Sequence, residues 1–166
     1  MFNVGDLVIY STQGICKIDD ICKKTYLGTT RDYYILHPLE DSKLKICTPV
    51  DNDKVTMQEI VDRDGAEKML ESFKLPDINW IESWGMRNQE YSKIVKRGDR
   101  MEISRLLNTL MRKKQQDEAG GKKFSERDNK LLVLIQNTVF TELALSLNTT
   151  VETINEKVTG LINENV

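Results

Sequence analysis

The chain has 166 residues, of which 39% are apolar and 30% are charged, a composition typical of soluble globular proteins. Its formal net charge of −2 excludes a strongly basic protein, and no apolar run approaches the roughly 20 residues of a membrane-spanning helix. The three cysteines, Cys16, Cys22 and Cys47, have no Cys-x-x-Cys spacing and are odd in number. We therefore expect reduced thiols rather than a disulfide framework or a zinc site, in a soluble cytoplasmic protein without a secretory signal.

Short runs of β-branched and aromatic residues predict strands in the first 50 residues. These runs cover residues 7–10, 14–18, 33–36 and 44–48. Turn-like segments separate them at residues 11–14, 27–30 and 41–43. Four or five short antiparallel strands in such a length predict a small, strongly bent barrel of the SH3-like or Tudor-like type.

From about residue 53 the apolar residues recur at the spacing of a helix. Residues 65–73 predict a first helix, and Asp99 with Glu102 has the spacing of a capping box that opens another one. The apolar residues of that helix are Ile103, Leu106, Leu107, Leu110 and Met111. Residues 115–123, which contain two adjacent glycines, predict a loop.

Two further helix starts follow this loop. Ser125 is expected to cap a long helix, and Thr149 with Glu152 a final one. The predicted fold is therefore α+β in two domains, with a β-barrel over residues 1–52 and an all-α helical bundle over residues 53–166.

The basic residues are concentrated in the middle of the chain. Residues 86–130 contain 13 Lys and Arg against 7 Asp and Glu, whereas the flanking segments are acidic. This asymmetry suits one surface that faces a polyanion, although an ordinary solvated helix face gives the same pattern.

Residues that carry catalysis or bind metal are scarce. The single histidine, His37, lies beside Pro38 and has no nearby cluster of Cys, Asp or Glu. The sequence contains neither a Gly-x-x-x-x-Gly-Lys-Ser/Thr loop nor a Gly-x-Gly-x-x-Gly loop. It therefore predicts no catalytic residue, no metal site and no cofactor, and we expect a protein that is not an enzyme.

Both tryptophans lie in one segment, residues 78–87, and are four residues apart. If this segment is helical, Trp80 and Trp84 share a face. Because cations follow Trp84 along the chain, we expect Trp80 in the core and Trp84 at the surface. An aromatic ring at the edge of a basic surface suits nucleic acid, since every base offers a π-face while the cations neutralise phosphate.

Several motifs in this order resemble the CarD family of bacterial RNA polymerase-binding regulators. The opening Phe2-x-Val4-Gly5-Asp6-x-Val8-x-Tyr10-x-x-x-Gly14 is similar to the family's polymerase-interacting domain, which also occurs in the transcription-repair coupling factor. Tyr33-Tyr34-Ile35-Leu36 and the strand before Pro49 are similar to its later strands. Trp84-x-x-Arg87, Gly98-Asp99 and Leu106-Leu107-x-x-Leu110-x-Arg112 resemble the family's helical DNA-binding domain.

The resemblance implies a mechanism. The barrel would bind the β subunit of RNA polymerase, in part through a strand edge. The helical domain would contact promoter DNA at the upstream edge of the transcription bubble, where Trp84 would act as a wedge that stabilises the open complex and Arg87 would hold a phosphate. Further DNA contacts are expected from Lys93, Lys96, Arg97, Lys123 and Lys130.

The resemblance also implies polymerase contacts at Lys24, Lys45 and Cys47. Some relatives carry arginine at two of these positions, so Lys24 and Cys47 imply a weaker or redistributed contact. Such a regulator would have weak DNA sequence preference, no membrane role, a monomeric free state and a cytoplasmic, nucleoid-associated location. The alternative is a protein–protein adaptor with a Tudor-like barrel and no DNA role. Activation and repression are both open.

Overall fold

The computed structural model describes residues 1–10, 13–54, 57–76 and 78–164. The chain divides into two compact units, Met1–Ile60 and Val61–Val166. The first contains a five-stranded antiparallel sheet and the second contains α-helices, which confirms the predicted α+β class. Ser11 and Thr12, part of a predicted turn, lie outside the described residues.

The sheet has the strand order β4-β3-β2-β1-β5. Its strands are β1 (Leu7–Tyr10), β2 (Gly14–Tyr26), β3 (Thr29–Pro38), β4 (Ile46–Pro49) and β5 (Met57–Glu59). β2 and β3 are much longer than predicted, because their far ends are polar on both faces and show no alternation. A two-residue turn joins them, in which Leu27 and Gly28 both have positive φ, as a tight hairpin requires.

The opening motif of the chain has a structural explanation. Gly5 has a φ of 92°, a value that glycine adopts without strain, and its N–H donates to the Ile18 carbonyl at 2.8 Å. Asp6 accepts a hydrogen bond from the Asn3 N–H at 2.8 Å, and Phe2 packs edge-on against Tyr34. The motif therefore fastens the N-terminus over the core of the sheet.

That core is small and apolar. It consists of Val8, Cys16, Ile18, Tyr34 and Leu36, all buried. Burial raises the pKa of the Cys16 thiol to about 11, so this cysteine is a protonated packing residue at neutral pH.

β5 pairs antiparallel with β1, with Glu59 opposite Val8. The sequence-based division after residue 52 leaves this strand outside the first domain, whereas the compact unit extends to Ile60. A three-residue strand has too little periodicity to be recognised from sequence, and it forms here by pairing with a partner about 50 residues earlier.

The described helices of the second unit are α1 (Arg63–Glu71), α2 (Trp84–Arg97), α3 (Arg100–Ala119), α4 (Glu126–Ser146) and α5 (Val151–Glu164). Asp99 caps α3 by accepting from the Glu102 N–H at 2.9 Å, which confirms the predicted capping box. α3 continues to Ala119, through part of the predicted loop.

Two predicted caps differ from the structure. Ser125 precedes α4, but its side chain makes no capping hydrogen bond. At the start of α5 the acceptor is Thr150, whose Oγ1 accepts from the Thr153 N–H at 3.1 Å, rather than Thr149. In runs of adjacent hydroxyl residues, the backbone conformation decides which one caps.

Buried polar side chains tie the helical unit together. Asn108 on α3 donates to the carbonyls of Ser72 and Leu75, and Arg112 donates to the Phe73 carbonyl at 2.8 Å, so α3 satisfies the backbone that follows α1. Partial burial lowers the pKa of Arg112. Glu142 on α4 is buried and accepts from the Val61 N–H at 2.8 Å, which anchors the first residue of the unit.

Helix length and hydropathy were also compared with those of a membrane span. No single helix among residues 1–10, 13–54, 57–76 and 78–164 is long and apolar enough to cross a bilayer. α4 and α5 meet the criteria of length and composition only as a pair, which is bent by 109°.

Two glycines in the helical unit are expected to respond oppositely to alanine. Gly98 ends α2 at a φ of 71°, so Gly98→Ala should lower the free energy of unfolding by about 1–2 kcal/mol. Gly160 lies inside α5, where an added Cβ meets no atom within 4 Å, so Gly160→Ala should raise it by about 0.5–1 kcal/mol. Urea unfolding followed by tryptophan fluorescence measures both, and equal signs would contradict the assigned conformations.

Candidate functional site

The two tryptophans occupy different environments. Trp84 is the first residue of α2 and is 41% exposed. Trp80 lies before the helix, packs against the core of the helical unit and meets the Tyr91 ring edge-on at a centroid distance of 6.3 Å. The predicted core and surface positions are confirmed. The shared helix face is not, because α2 begins only after its N-cap, Ser83.

Arg87 departs from its predicted role as a phosphate contact. Its side chain is buried and pairs bidentately with Asp128, with Nε–Oδ1 and Nη2–Oδ2 distances of 3.0 and 2.8 Å. Nη1 donates to the carbonyls of Ile81 and Glu82, and the guanidinium lies 4.4 Å from the Trp80 ring centroid. Because these donors are already used inside the protein, we revise the expectation: Arg87 positions the first turn of α2.

The Arg87–Asp128 ion pair also joins two helix starts. Asp128 is in the first turn of α4, and its carboxylate is as buried as the guanidinium it binds. The surroundings are poorly solvated, since burial raises the pKa of the neighbouring Tyr91 hydroxyl to about 12. A pair held in such surroundings fixes the first turns of α2 and α4 side by side.

Arg127 contacts the exposed tryptophan. Its guanidinium carbon lies 4.2 Å from the centroid of the Trp84 ring, the distance of a stacked cation–π contact. The sequence analysis did not identify this residue. The available signal was a cation in the opening turn of a predicted helix, between Lys123 and Lys130, but the contact spans 43 positions of sequence.

Lys123 and Lys130 are brought together at the start of α4. They line a cleft of about 530 Å³, together with Lys114, Glu118, Phe124, Glu126 and Asn129. Lys130 lies three residues after Arg127 and therefore on the same face of α4. We call Trp84, Arg127 and Lys130 the Trp84 platform.

The remaining predicted DNA contacts lie elsewhere on α2. Lys93 and Arg97 are about 180° and 220° around the helix axis from Trp84 by the helical repeat, and Lys96 is about 120° away. Lys93 pairs with Glu90, and Arg97 pairs with Glu102 through both carboxylate oxygens. The structure does not place these three with the Trp84 platform on one helix face.

In the first unit, Lys24 and Cys47 are brought together. The Lys24 ammonium donates to the Cys47 sulfur at 3.2 Å, and this bond raises the pKa of Lys24. Cys47 is exposed on β4, an edge strand of the sheet, and Lys45 is exposed just before it. His37 pairs with Asp19 on the neighbouring strand at 2.7 Å. The described residues contain no group of three or more metal-ligating side chains.

Comparison with known families matches nearly the whole chain. Residues 2–61 match the family model described as "CarD-like/TRCF RID domain". Residues 68–159 match the model described as "CarD, C-terminal domain". The first match ends at the boundary between the two compact units, and the second lies inside the helical unit.

Proposed function

Since this chain belongs to the CarD family of RNA polymerase-interacting transcription regulators, we propose that it stabilises the promoter open complex without catalysing a reaction. In this proposal the first unit binds the polymerase β subunit. The Trp84 platform contacts DNA at the upstream edge of the transcription bubble, and the indole enters the opened step. Such a protein works in the cytoplasm, on the nucleoid, and is monomeric before it binds.

The half-exposed indole of Trp84 on a rigid helix start is the observation that carries the DNA part of the proposal. A large aromatic ring left in water at the first turn of a helix adds little to the core. Next to the cations Arg127 and Lys130, it has the combination that binds unpaired nucleic acid: a stacking surface for a base and positive charge for phosphate. Apolar wedges of this kind also stabilise a distorted base step.

The energy that this contact supplies is sufficient for regulation. Stacking one base on an aromatic side chain contributes about 1–3 kcal/mol. If this contact forms only in the open promoter, it shifts the balance between closed and open complexes by roughly 5- to 150-fold.

The polymerase part of the proposal is supported by the surface of the first unit. Lys24, Lys45 and Cys47 lie on β2, β4 and the residues just before β4, and two of them are in direct contact. β4 is an edge strand, and the backbone of an edge strand is able to pair with a strand of another protein. A lysine donating to a thiol supplies one positive charge where two arginines would supply two, so a modest affinity is expected.

DNA binding by the protein alone is expected to be weak, sensitive to salt and nearly independent of sequence. Three phosphate contacts from Lys96, Lys123 and Lys130 would reduce affinity roughly 40-fold between about 50 and about 200 mM salt. Fluorescence anisotropy with two unrelated duplexes measures this. A tight footprint at one site, or affinity that does not change with salt, would contradict phosphate-dominated binding.

The function itself is tested by the lifetime of the open complex. With the cognate RNA polymerase and a promoter template, addition of the protein should lengthen the lifetime after challenge with a competitor. The polymerase should also be retained by the immobilised full-length protein, and promoter DNA should strengthen that retention. Retention without any DNA-dependent gain would instead support the adaptor alternative.

A further inference from the structure

We propose that Arg127 is the positioning residue of Trp84: it holds the indole in the pose that meets DNA and brings a cation to the adjoining phosphate. The inference rests on the proposed function and extends it to a residue outside the predicted set. The starting observation is the stacked contact at 4.2 Å between the Arg127 guanidinium and the Trp84 ring.

Arg127 has no other evident reason to be where it is. It occupies the first turn of α4, where the positive end of the helix dipole opposes a cation. Among the residues that the structure describes, no carboxylate lies within ion-pair distance of it, unlike Arg87, Arg97 and Arg100. Neither helix stability nor a local ion pair therefore explains its position, and the indole does.

The contact follows from the framework beneath it. The buried Arg87–Asp128 pair fixes the first turns of α2 and α4 against each other. Trp84 lies three residues before Arg87, and Arg127 directly precedes Asp128, so the two exposed side chains meet. Next to Trp84, Gly85 has no heavy atom within 4 Å of where a Cβ would be, so little else confines the indole on that side.

A guanidinium suits both parts of this role. It is planar, so it stacks on one face of the indole and leaves the other face for a base. Its N–H groups point outward in the plane of the stack, where they are able to donate to a phosphate oxygen. A lysine keeps the charge but does not stack in this way, which makes Arg127→Lys an informative variant.

The test uses the full chain with Arg127→Ala and Arg127→Lys. Fluorine NMR of protein labelled with 5-fluorotryptophan gives two resonances, assigned with Trp84→Phe, and Trp80 serves as an internal reference for the fold. Both variants should move the Trp84 resonance and leave that of Trp80 in place. Arg127→Ala should lower the slope of log affinity against log salt by about 1, whereas Arg127→Lys should preserve it.

Open-complex lifetime supplies the functional readout. Arg127→Ala should shorten the lifetime gained from the protein by roughly 2- to 5-fold, the range of an exposed cation–π contact. Lys157→Ala, which removes one exposed positive charge from α5, is the charge-matched control and should leave the NMR resonances and the lifetime unchanged. An unmoved Trp84 resonance in Arg127→Ala, or an equal loss of salt slope in Lys157→Ala, would overturn the inference.

Failure of this inference is distinguishable from failure of the proposed function. If Trp84→Ala shortens the lifetime but Arg127→Ala does not, the wedge remains and Arg127 has no part in it. If Trp84→Ala has no effect, the proposed function fails and the positioning role fails with it, whatever Arg127→Ala does.

Discussion

Asp128→Ala is expected to lower the free energy of unfolding of the helical unit by about 3–5 kcal/mol. The substitution leaves the Arg87 guanidinium buried and without its carboxylate, and removing one member of a buried ion pair has a far larger effect than the net contribution of the pair. Urea unfolding followed by tryptophan fluorescence reports on this unit, because Trp80 and Trp84 both belong to it.

The matched control is Asp64→Ala. Asp64 also pairs with a basic residue, Lys68, but both side chains are more than two-thirds exposed, so we expect a change of at most about 0.5 kcal/mol. Replacing both members of the buried pair with apolar residues, as in Arg87→Met with Asp128→Leu, should recover part of the lost stability. Equal losses from Asp128→Ala and Asp64→Ala would show that the buried pair does not hold the two helix starts together.

Trp84→Ala is expected to shorten the lifetime of the open complex by roughly 5- to 150-fold relative to the wild-type protein, while the unfolding transition stays where it was. The indole is 41% exposed and lies at the first residue of α2, so its removal leaves no large cavity in the core. What is lost is the stacking surface. Dissociation of heparin-challenged open complexes gives the lifetime, and urea unfolding gives the stability.

Two variants separate the ring from general hydrophobic effects. Trp84→Phe keeps an aromatic face and should retain part of the lifetime. Leu134→Ala removes another exposed apolar side chain, on α4, and should change nothing. A lifetime unaltered in folded Trp84→Ala protein would count decisively against the wedge.

The sequence predicted the architecture because its signals are local. Alternating strands, the 3.6-residue repeat of the helices and the Asp99 cap depend on neighbours within a few positions. It missed β5 because three residues carry no period and the pairing with β1 is distant in sequence. It predicted β2 and β3 too short because the far end of their hairpin is polar on both faces.

The site was less predictable, for a related reason. The exposure of Trp84 followed from its basic neighbourhood, but the burial of Arg87 depends on Asp128, 41 residues later, and the stacking on Trp84 depends on Arg127. Lys93 and Arg97 were grouped with Trp84 by proximity in sequence, although the helical repeat turns them to the opposite side of α2. Spacing alone therefore identified the charged segment without distinguishing cations that hold the fold from cations on the surface.

The most direct measurement is a photo-crosslink from position 84. The full-length protein with Trp84→p-benzoylphenylalanine is bound to polymerase in an open complex, irradiated, and the crosslinked nucleotide is mapped. We predict a crosslink to DNA at the upstream edge of the bubble, absent when the same group replaces Leu134. Crosslinks from position 84 that reach only protein, or only duplex far from the bubble, would contradict the claim that this side chain meets the opened DNA.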